Sequence, residues 1–191
     1  MKAAVHVDQL FFAAPGGIGT YIRNLVPALA RQDPSLQLTL FHSRFASHEV
    51  PERWMRDHWV EELPASIRSL YPRWDTIGRP PLPATLQALD LVHATNPAAI
   101  PPATGGQRLV VTVHDLAFEH YPELFPRPWR ALYRLGLRAA FKRADAILCP
   151  RATPPRTCCR GRRWTHASST SCRSRRRCPR PTWMSARCSR A

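Results

Sequence analysis

Hydrophobic and polar positions in residues 1–150 alternate between short apolar runs and longer amphipathic stretches. Short apolar runs, typical of buried parallel strands, occur at residues 2–7, 36–42, 91–94, 109–113 and 145–149, and residues 58–63 give a weaker strand pattern. Apolar residues recur at helical spacing from Tyr21 to Ala30, where Pro27 predicts a bend, and again over residues 128–143. Residues 64–89 contain a further helical stretch. This alternation of strand and helix predicts an α/β fold with a doubly wound parallel sheet.

The pattern stops at residue 150. Residues 151–191 contain no Val, Ile, Leu, Phe, Tyr, Asp, Glu or Lys. Without large aliphatic side chains a segment buries too little apolar surface to offset the ~1–2 kcal/mol per residue that ordering of the backbone costs. The composition therefore predicts one domain at residues 1–150 and a disordered Arg-rich tail at residues 151–191.

The genetic code gives a second interpretation of this tail, which is translation in the wrong reading frame. A shifted codon takes the third base of one residue and the first two bases of the next. One shifted sequence allowed within residues 163–175 is Asp-Pro-Arg-Ile-Val-His-Val-Val-Pro-Leu-Ala. Because this is a buried strand with a Pro stop, we expect a frameshift near residue 150. A genuine basic tail is the alternative.

The formal net charge of +15 suggests a nucleic-acid binder until the charges are located. The tail holds 12 arginines and no acidic residue, which leaves 16 basic and 13 acidic residues, or +3, in residues 1–150. Only Cys149 of the six cysteines lies before the tail, which predicts a reduced, cytoplasmic domain without disulfides. The other five lack the paired C-x2-C spacing of a zinc knuckle. No run approaches the ~20 apolar residues of a membrane span, and the N-terminus has no apolar signal core.

Glycines follow the first predicted strand and precede the first predicted helix. Gly16, Gly17 and Gly19 do not match the dinucleotide fingerprint G-x-G-x-x-G, and the segment lacks the Lys of a Walker loop. Backbone amides at the start of a helix can bind a phosphate, so these glycines are candidates for that role. A tight turn without a ligand is the alternative.

Two histidines stand at the ends of neighbouring predicted strands. His93 ends the fourth strand, and His114 and Asp115 directly follow the fifth. Open α/β sheets bind ligands at the carboxyl ends of their strands, so a functional role and a purely structural one both stay open for these histidines. No third ligand stands near them in the sequence, so we expect no zinc site.

Four segments together resemble the N-terminal domain of family-four retaining glycosyltransferases of the GT-B type, especially bacterial mannosyltransferase-like members. These segments are GGIGTYIRNLVPALA, DLVHATNP, TVHDLAFEHYPELFP and ALYRLGLRAAFKRADAILCP, in the family's order. The resemblance implies that residues 1–150 are a Rossmann-like, acceptor-side domain facing a second domain that binds a nucleotide-sugar. That second domain is absent from these 191 residues. The family continues with a strand such as IHVVPLG, and the shifted frame recovers one.

The resemblance also implies an activity, which is retaining transfer of a mannose-like hexose from a nucleotide-sugar to a hydroxyl of a sugar or lipid-linked acceptor. It implies a catalytic role for His114 beside the transferred sugar, and places Gly16, Gly17 and Gly19 near the donor diphosphate. The acceptor-side candidates are Tyr21, His93, Asn96 and Asp115. The resemblance implies neither a metal nor a cofactor, because the nucleotide-sugar is a substrate. With half of the donor site missing, we expect the chain to be inactive alone.

Other functions stay open. The basic tail could bind nucleic acid or an acidic surface, although it offers only Trp164 and Trp183 for stacking and the body holds no recognition module. Another GT-B enzyme, such as a sugar-nucleotide epimerase, is a third interpretation. A basic face on the predicted helix at residues 128–143 could also contact anionic lipid at the inner membrane face. Its members are Arg130, Arg134, Arg138 and Lys142.

Overall fold

A computed structural model describes residues 1–46 and 50–149, together with the backbone of residues 163–166. The strands are β1 (Lys2–His6), β2 (Gln37–His42), β3 (Trp59–Glu62), β4 (Leu91–Ala94), β5 (Arg108–Thr112), β6 (Ala146–Cys149) and β7 (Arg163–His166). The α-helices are α1 (Gly16–Gln32), α2 (Ile67–Ile77), α3 (Ala84–Gln87), α4 (Ala117–His120) and α5 (Arg127–Arg143). Short 3-10 helices occupy Asp8–Phe11, Arg53–Asp57 and Pro122–Leu124.

The strands form one parallel sheet in the order β3-β2-β1-β4-β5-β6-β7. The chain moves outward from β1 to β3 and then returns to the other side of β1 at β4. The sheet therefore has its topological switch point between β1 and β4, where open α/β sheets form their ligand crevice. The predicted doubly wound, Rossmann-like fold is confirmed, and strands β1 to β6 begin and end within one residue of the predicted ones.

Apolar side chains cover both faces of the sheet because successive strand residues point to opposite sides. On one face Val5 and Leu40 pack with Ile22 and Val26 of α1. On the other face Phe41 and Val92 join a larger core with α2 and α5. Helices on both faces leave the carboxyl edge of the sheet as the place where loops and polar groups collect.

Two boundaries differ from the sequence-based expectation. Helix α1 begins at Gly16, so the three glycines lie within its first turn rather than in a separate turn before Tyr21. The helix also continues through Pro27 to Gln32. Its apolar periodicity begins only at Ile18, because the preceding glycines have no side chains to show it.

The second difference concerns the segment expected to lack secondary structure. Within it, Arg163–His166 form β7, which pairs in parallel with β6. An edge strand needs only backbone hydrogen bonds to its neighbour, so it can form without the aliphatic side chains whose absence motivated the expectation. The other residues of the predicted tail lie outside the described part of the chain.

Across the described residues, no helix is long and apolar enough to cross a membrane.

Candidate functional site

A cleft of about 600 Å³ opens beside the first half of α1, near the carboxyl end of β5. Its lining consists of Gly17, Ile18, Thr20, Tyr21, Asn24, Leu25, His114 and Asp115. Four of these were predicted as site residues, namely Gly17, Tyr21, His114 and Asp115. The sequence analysis missed the other four. Helical spacing from Gly17 and Tyr21 could have found them, since residues three and four apart share one face of a helix.

The three glycines at the start of α1 have different physical roles. Gly16 has φ +59°, a left-handed conformation that favours glycine. A Cβ on Gly19 would lie 2.3 Å from the Cβ of Pro15, so close packing requires glycine there. The Gly19 amide already donates to the Pro15 carbonyl oxygen at 3.0 Å. A Cβ on Gly17 would meet nothing within 4 Å. Of the three glycines, Gly17 is the one that lines the cleft.

This geometry leaves the amides of residues 16–18 ahead of the first hydrogen bond inside α1. The helix dipole adds partial positive charge at the same end. Together they place amide donors and partial positive charge at the cleft wall next to Gly17, which are the features of a helix terminus that can bind an anion.

His114 lies across the cleft and is held in one orientation. Its Nε2 is 2.9 Å from the backbone oxygen of Thr95, and because a carbonyl can only accept, Nε2 carries the hydrogen. Burial lowers the pKa of His114, even though this hydrogen bond and the Asp115 carboxylate oppose the shift. The ring is therefore neutral near pH 7, and its Nδ1 carries a lone pair that can accept a hydrogen bond.

Tyr21 stands between the two predicted strand-end histidines. Its ring meets that of His114 edge to face, with centroids 4.8 Å apart, and that of His93 at 6.4 Å. Its hydroxyl oxygen is 3.2 Å from Oγ1 of the buried Thr112. His93 does not line the cleft, since it is 5% exposed and its Nε2 is 2.8 Å from the same Oγ1. Thr112, which sequence reasoning missed, thus connects His93 to the cleft wall.

The other two acceptor-side candidates have structural partners. Asn96 is buried, and its Oδ1 accepts a hydrogen bond from the Ala98 amide at 2.9 Å. It does not line the cleft. Asp115 does, and one of its oxygens accepts from the Ala117 amide at 3.0 Å, at the start of α4. Of the two, Asp115 is therefore the one exposed to a ligand.

A buried polar network that the sequence analysis did not single out lies at the carboxyl ends of β1 and β2. Asp8 accepts hydrogen bonds from the Ser43 amide at 2.5 Å, the Ser43 hydroxyl at 2.6 Å and the Tyr71 hydroxyl at 2.7 Å. His6 Nε2 lies 3.1 Å from Asp8 Oδ2. Burial acts to raise the pKa of Asp8, but His6 and these hydrogen bonds outweigh it and hold the pKa below its usual value. The network anchors the start of the loop that leads to α1.

Among the described residues, no three His, Cys, Asp or Glu side chains converge as they would around a metal ion. The five cysteines considered for a zinc knuckle and the two stacking tryptophans belong to the tail. Their side chains lie outside what the structure describes.

Residues 15–153 match the family described as Glycosyltransferase Family 4. The matched region includes all residues that line the cleft and strands β2, β3, β4, β5 and β6, whereas β1 precedes it. Comparison with curated proteins found no match, and neither did comparison with solved structures.

Proposed function

The chain belongs to glycosyltransferase family 4, and we propose on that premise that the cleft serves retaining transfer of a mannose-like hexose. The donor is a nucleotide-sugar, and the acceptor is a hydroxyl of a sugar or lipid-linked molecule. Residues 1–150 supply the acceptor side and part of the donor site. No metal or further cofactor enters the proposal.

One observation carries this proposal, namely that the N-terminus of α1 and the oriented His114 ring line the same cleft. Gly17 allows a diphosphate to approach the first amides of α1 without meeting a side chain. His114 faces the same cleft, where its Nδ1 can accept a hydrogen bond from a hydroxyl of the transferred sugar. A charged imidazole would compete for the diphosphate, so the lowered pKa of His114 suits this role.

The proposed transfer needs no protein nucleophile. The bond between the anomeric carbon and the diphosphate oxygen breaks, and the acceptor oxygen bonds to the same face of that carbon. The proton of the acceptor hydroxyl passes to the departing phosphate oxygen. Donors aimed at the developing phosphate charge lower the barrier, and the α1 amides are such donors.

We propose further that residues after about 150 come from a shifted reading frame. The family match ends at residue 153, close to the point where aliphatic and acidic residues disappear from the sequence. One shifted sequence that the genetic code allows contains a strand with the apolar character expected at this position. Residues 1–150 supply only part of the proposed donor site, so we propose that these residues do not transfer sugar by themselves.

The coding DNA tests the frameshift directly. A continuous second domain in another frame is the expected result, whereas a stop codon soon after residue 150 in both other frames would contradict it. The protein with its frame restored should transfer a hexose from a nucleotide-sugar, while the present chain should not. The transfer is measured with GDP-mannose and UDP-glucose as donors.

Variants of the restored protein test the site. His114→Ala should lower kcat at least tenfold, because the sugar loses an oriented partner. Gly17→Val should weaken donor binding, because a side chain would block the diphosphate. His58→Ala is the matched control, since His58 follows a 3-10 helix and does not line the cleft. Transfer by His114→Ala at the parental rate would show the site assignment to be wrong even if the family activity is present.

The alternative of a nucleic-acid or acidic-surface binder depends on residues outside the described part of the chain. In residues 1–150 the net charge is +3, and nothing in the described cleft favours that alternative. An epimerase would use the same kind of cleft. An assay without an acceptor distinguishes the two activities, because only an epimerase would isomerise the nucleotide-sugar.

A further inference from the structure

Three side chains form a hydrogen-bonded chain that runs from the buried sheet to the wall of the cleft. His93 Nε2 on β4 is 2.8 Å from Thr112 Oγ1 on β5, and this oxygen is 3.2 Å from the hydroxyl of Tyr21 on α1. Thr112 is fully buried and His93 is 5% exposed, so water does not replace either contact. Only Tyr21 reaches the cleft.

The chain has a direction because Thr112 has one hydroxyl hydrogen to share between two neighbours. If His93 Nε2 carries a hydrogen, it donates to Thr112, Thr112 donates to Tyr21, and the Tyr21 hydroxyl hydrogen is left to point into the cleft. If Nε2 carries the lone pair instead, Thr112 donates to it and Tyr21 donates to Thr112. The Tyr21 oxygen then offers the cleft only lone pairs.

Acid and base strength decide between these two arrangements. Of the three groups, the phenol of Tyr21 is the most acidic hydroxyl and the strongest hydroxyl donor. The neutral imidazole nitrogen of His93 is the strongest acceptor. His93 is neutral at pH 7 because burial, with smaller electrostatic contributions from His114 and His6, lowers its pKa to about 4. A chain that runs from the best donor to the best acceptor is also strengthened cooperatively.

We propose that His93 is a positioning residue that acts through Thr112 to turn the Tyr21 hydroxyl hydrogen away from the cleft, so that Tyr21 selects a ligand hydroxyl by accepting its hydrogen bond. The ligand class is a polyol, such as a sugar, that presents a hydroxyl opposite Tyr21. A ligand with a methyl ether or a hydrogen at that position has no hydrogen to donate. This selectivity rests on the proposed function, in which the cleft binds a hydroxyl-bearing substrate.

The geometry also explains why a histidine that does not line the cleft stands at a strand end. Its ring nitrogen fixes the hydroxyl of a residue on another element, across β5. Tyr21 and His114 both line the cleft with their ring centroids 4.8 Å apart, and in this arrangement the Tyr21 oxygen and Nδ1 of His114 are both hydrogen-bond acceptors. Two adjacent acceptors fit neighbouring hydroxyls of a sugar ring.

The first experiment measures the His93 tautomer in the ligand-free full chain by long-range ¹H–¹⁵N NMR, with His93→Gln used to assign the ring signals. The expected result is hydrogen on Nδ1 and a lone pair on Nε2. Hydrogen on Nε2 would overturn the proposal. This experiment uses no substrate, so its outcome does not depend on the proposed function.

The second experiment follows the Tyr21 pKa with ¹³C-labelled tyrosine. In His93→Leu, Thr112 loses its acceptor and becomes free to donate to the Tyr21 phenolate, so the Tyr21 pKa should fall relative to the parent chain. His93→Gln can present its carbonyl oxygen to Thr112 and should restore the parental value. If the Tyr21 pKa were equal in the parent chain and in a folded His93→Leu variant, the positioning role of His93 would be overturned.

The third experiment titrates methyl α-mannopyranoside and its deoxy analogues into the parent chain and the same variants. Tyr21→Phe and His93→Leu should each weaken binding several-fold and narrow the difference between the parent sugar and at least one deoxy analogue, while His93→Gln should keep that difference. If both weakened variants kept the parental difference in affinity between the sugar and every deoxy analogue, Tyr21 would have no role in selecting a ligand hydroxyl. If the parent chain binds no sugar, the proposal that Tyr21 selects a ligand hydroxyl fails together with the proposed function. The His93 tautomer from the first experiment still tests whether His93 orients the Tyr21 hydroxyl.

Discussion

Gly136 and Pro97 approach so closely that a Cβ atom on residue 136 would lie 1.8 Å from the carbonyl oxygen of Pro97. Helix α5 therefore crosses the loop after β4 at a point where only glycine fits. The same loop carries Thr95, whose backbone oxygen orients His114. The position of α5 and the geometry of the cleft are thus linked through one backbone contact.

Gly136→Ala should destabilise the fold, because the Cβ meets backbone that cannot rotate away. Overpacking of this kind costs about 1–3 kcal/mol, and this contact lies at the upper end. The measurement is the free energy of unfolding in urea. Gly17→Ala is the matched control, because a Cβ there meets nothing within 4 Å, and it should leave stability unchanged or slightly raised. A Gly136→Ala chain as stable as the parent would contradict the close packing.

Asp8→Asn should also destabilise the fold, because Asp8 accepts three hydrogen bonds in a buried position. Hydrogen bonds to a charged group contribute about 1.5–3 kcal/mol each, and the amide that replaces the carboxylate keeps only part of them. Asp33→Asn at an exposed carboxylate is the control and should leave the urea midpoint nearly unchanged. Since the pKa of Asp8 is lowered, its stabilisation is present above pH 3.8 and is lost as the pH falls through the folded value.

Asp75 should make the protein less stable as the pH rises from about 4 to 8. Burial raises its pKa to about 8, although the Ile100 amide and Arg143 oppose the shift, and its Oδ2 has no hydrogen-bond partner in the described structure. Between these values the folded state binds more protons than the unfolded state, so stability falls by up to about 1.4 kcal/mol per pH unit.

His93 opposes the effect of Asp75 on stability between pH 4 and 6.5. Its pKa is lowered in the folded state, so the unfolded state binds more protons there and stability rises with pH. The decline caused by Asp75 is therefore expected between pH 6.5 and 8, where His93 no longer changes its charge. Urea unfolding at several pH values checks it. Asp75→Asn should remove the decline, and Asp57→Asn at an exposed position should keep it. A flat parental profile over that window would contradict the assignment.

The basic face of α5 is smaller than its sequence spacing predicts. Arg134 is held by Glu119 through two hydrogen bonds of 2.6 and 2.9 Å, and Arg130 donates to the Pro122 carbonyl oxygen at 3.1 Å. Arg138 is exposed. If this face contacts anionic lipid, Arg138 should contribute most to that contact.

Arg138→Glu should therefore weaken sedimentation of the full chain with phosphatidylglycerol vesicles by about fivefold for each unit of charge removed. Arg68→Glu on the exposed side of α2 is the control, which also corrects for binding by the Arg-rich tail. Equal losses in the two variants would contradict a lipid-contacting face on α5.

The sequence by itself determined the strands, their parallel arrangement and the family. Short apolar runs with few polar interruptions can be buried only inside a sheet covered on both faces, so periodicity was enough to locate β1 to β6 and α5. Glycines and strand-end histidines pointed to the edge of the sheet where the cleft lies, because that edge follows from strand direction alone.

Only the tertiary structure decided which of these residues share a cleft and which hold the fold together. Gly17 and Gly19 are two positions apart, yet one lines the cleft and the other packs on Pro15. His93 and His114 both end strands, but only His114 reaches the cleft. Such differences depend on contacts between residues far apart in the chain, such as Tyr21 with Thr112. Local patterns carry no information about those contacts, because side-chain partners across elements are set by how the helices pack on the sheet.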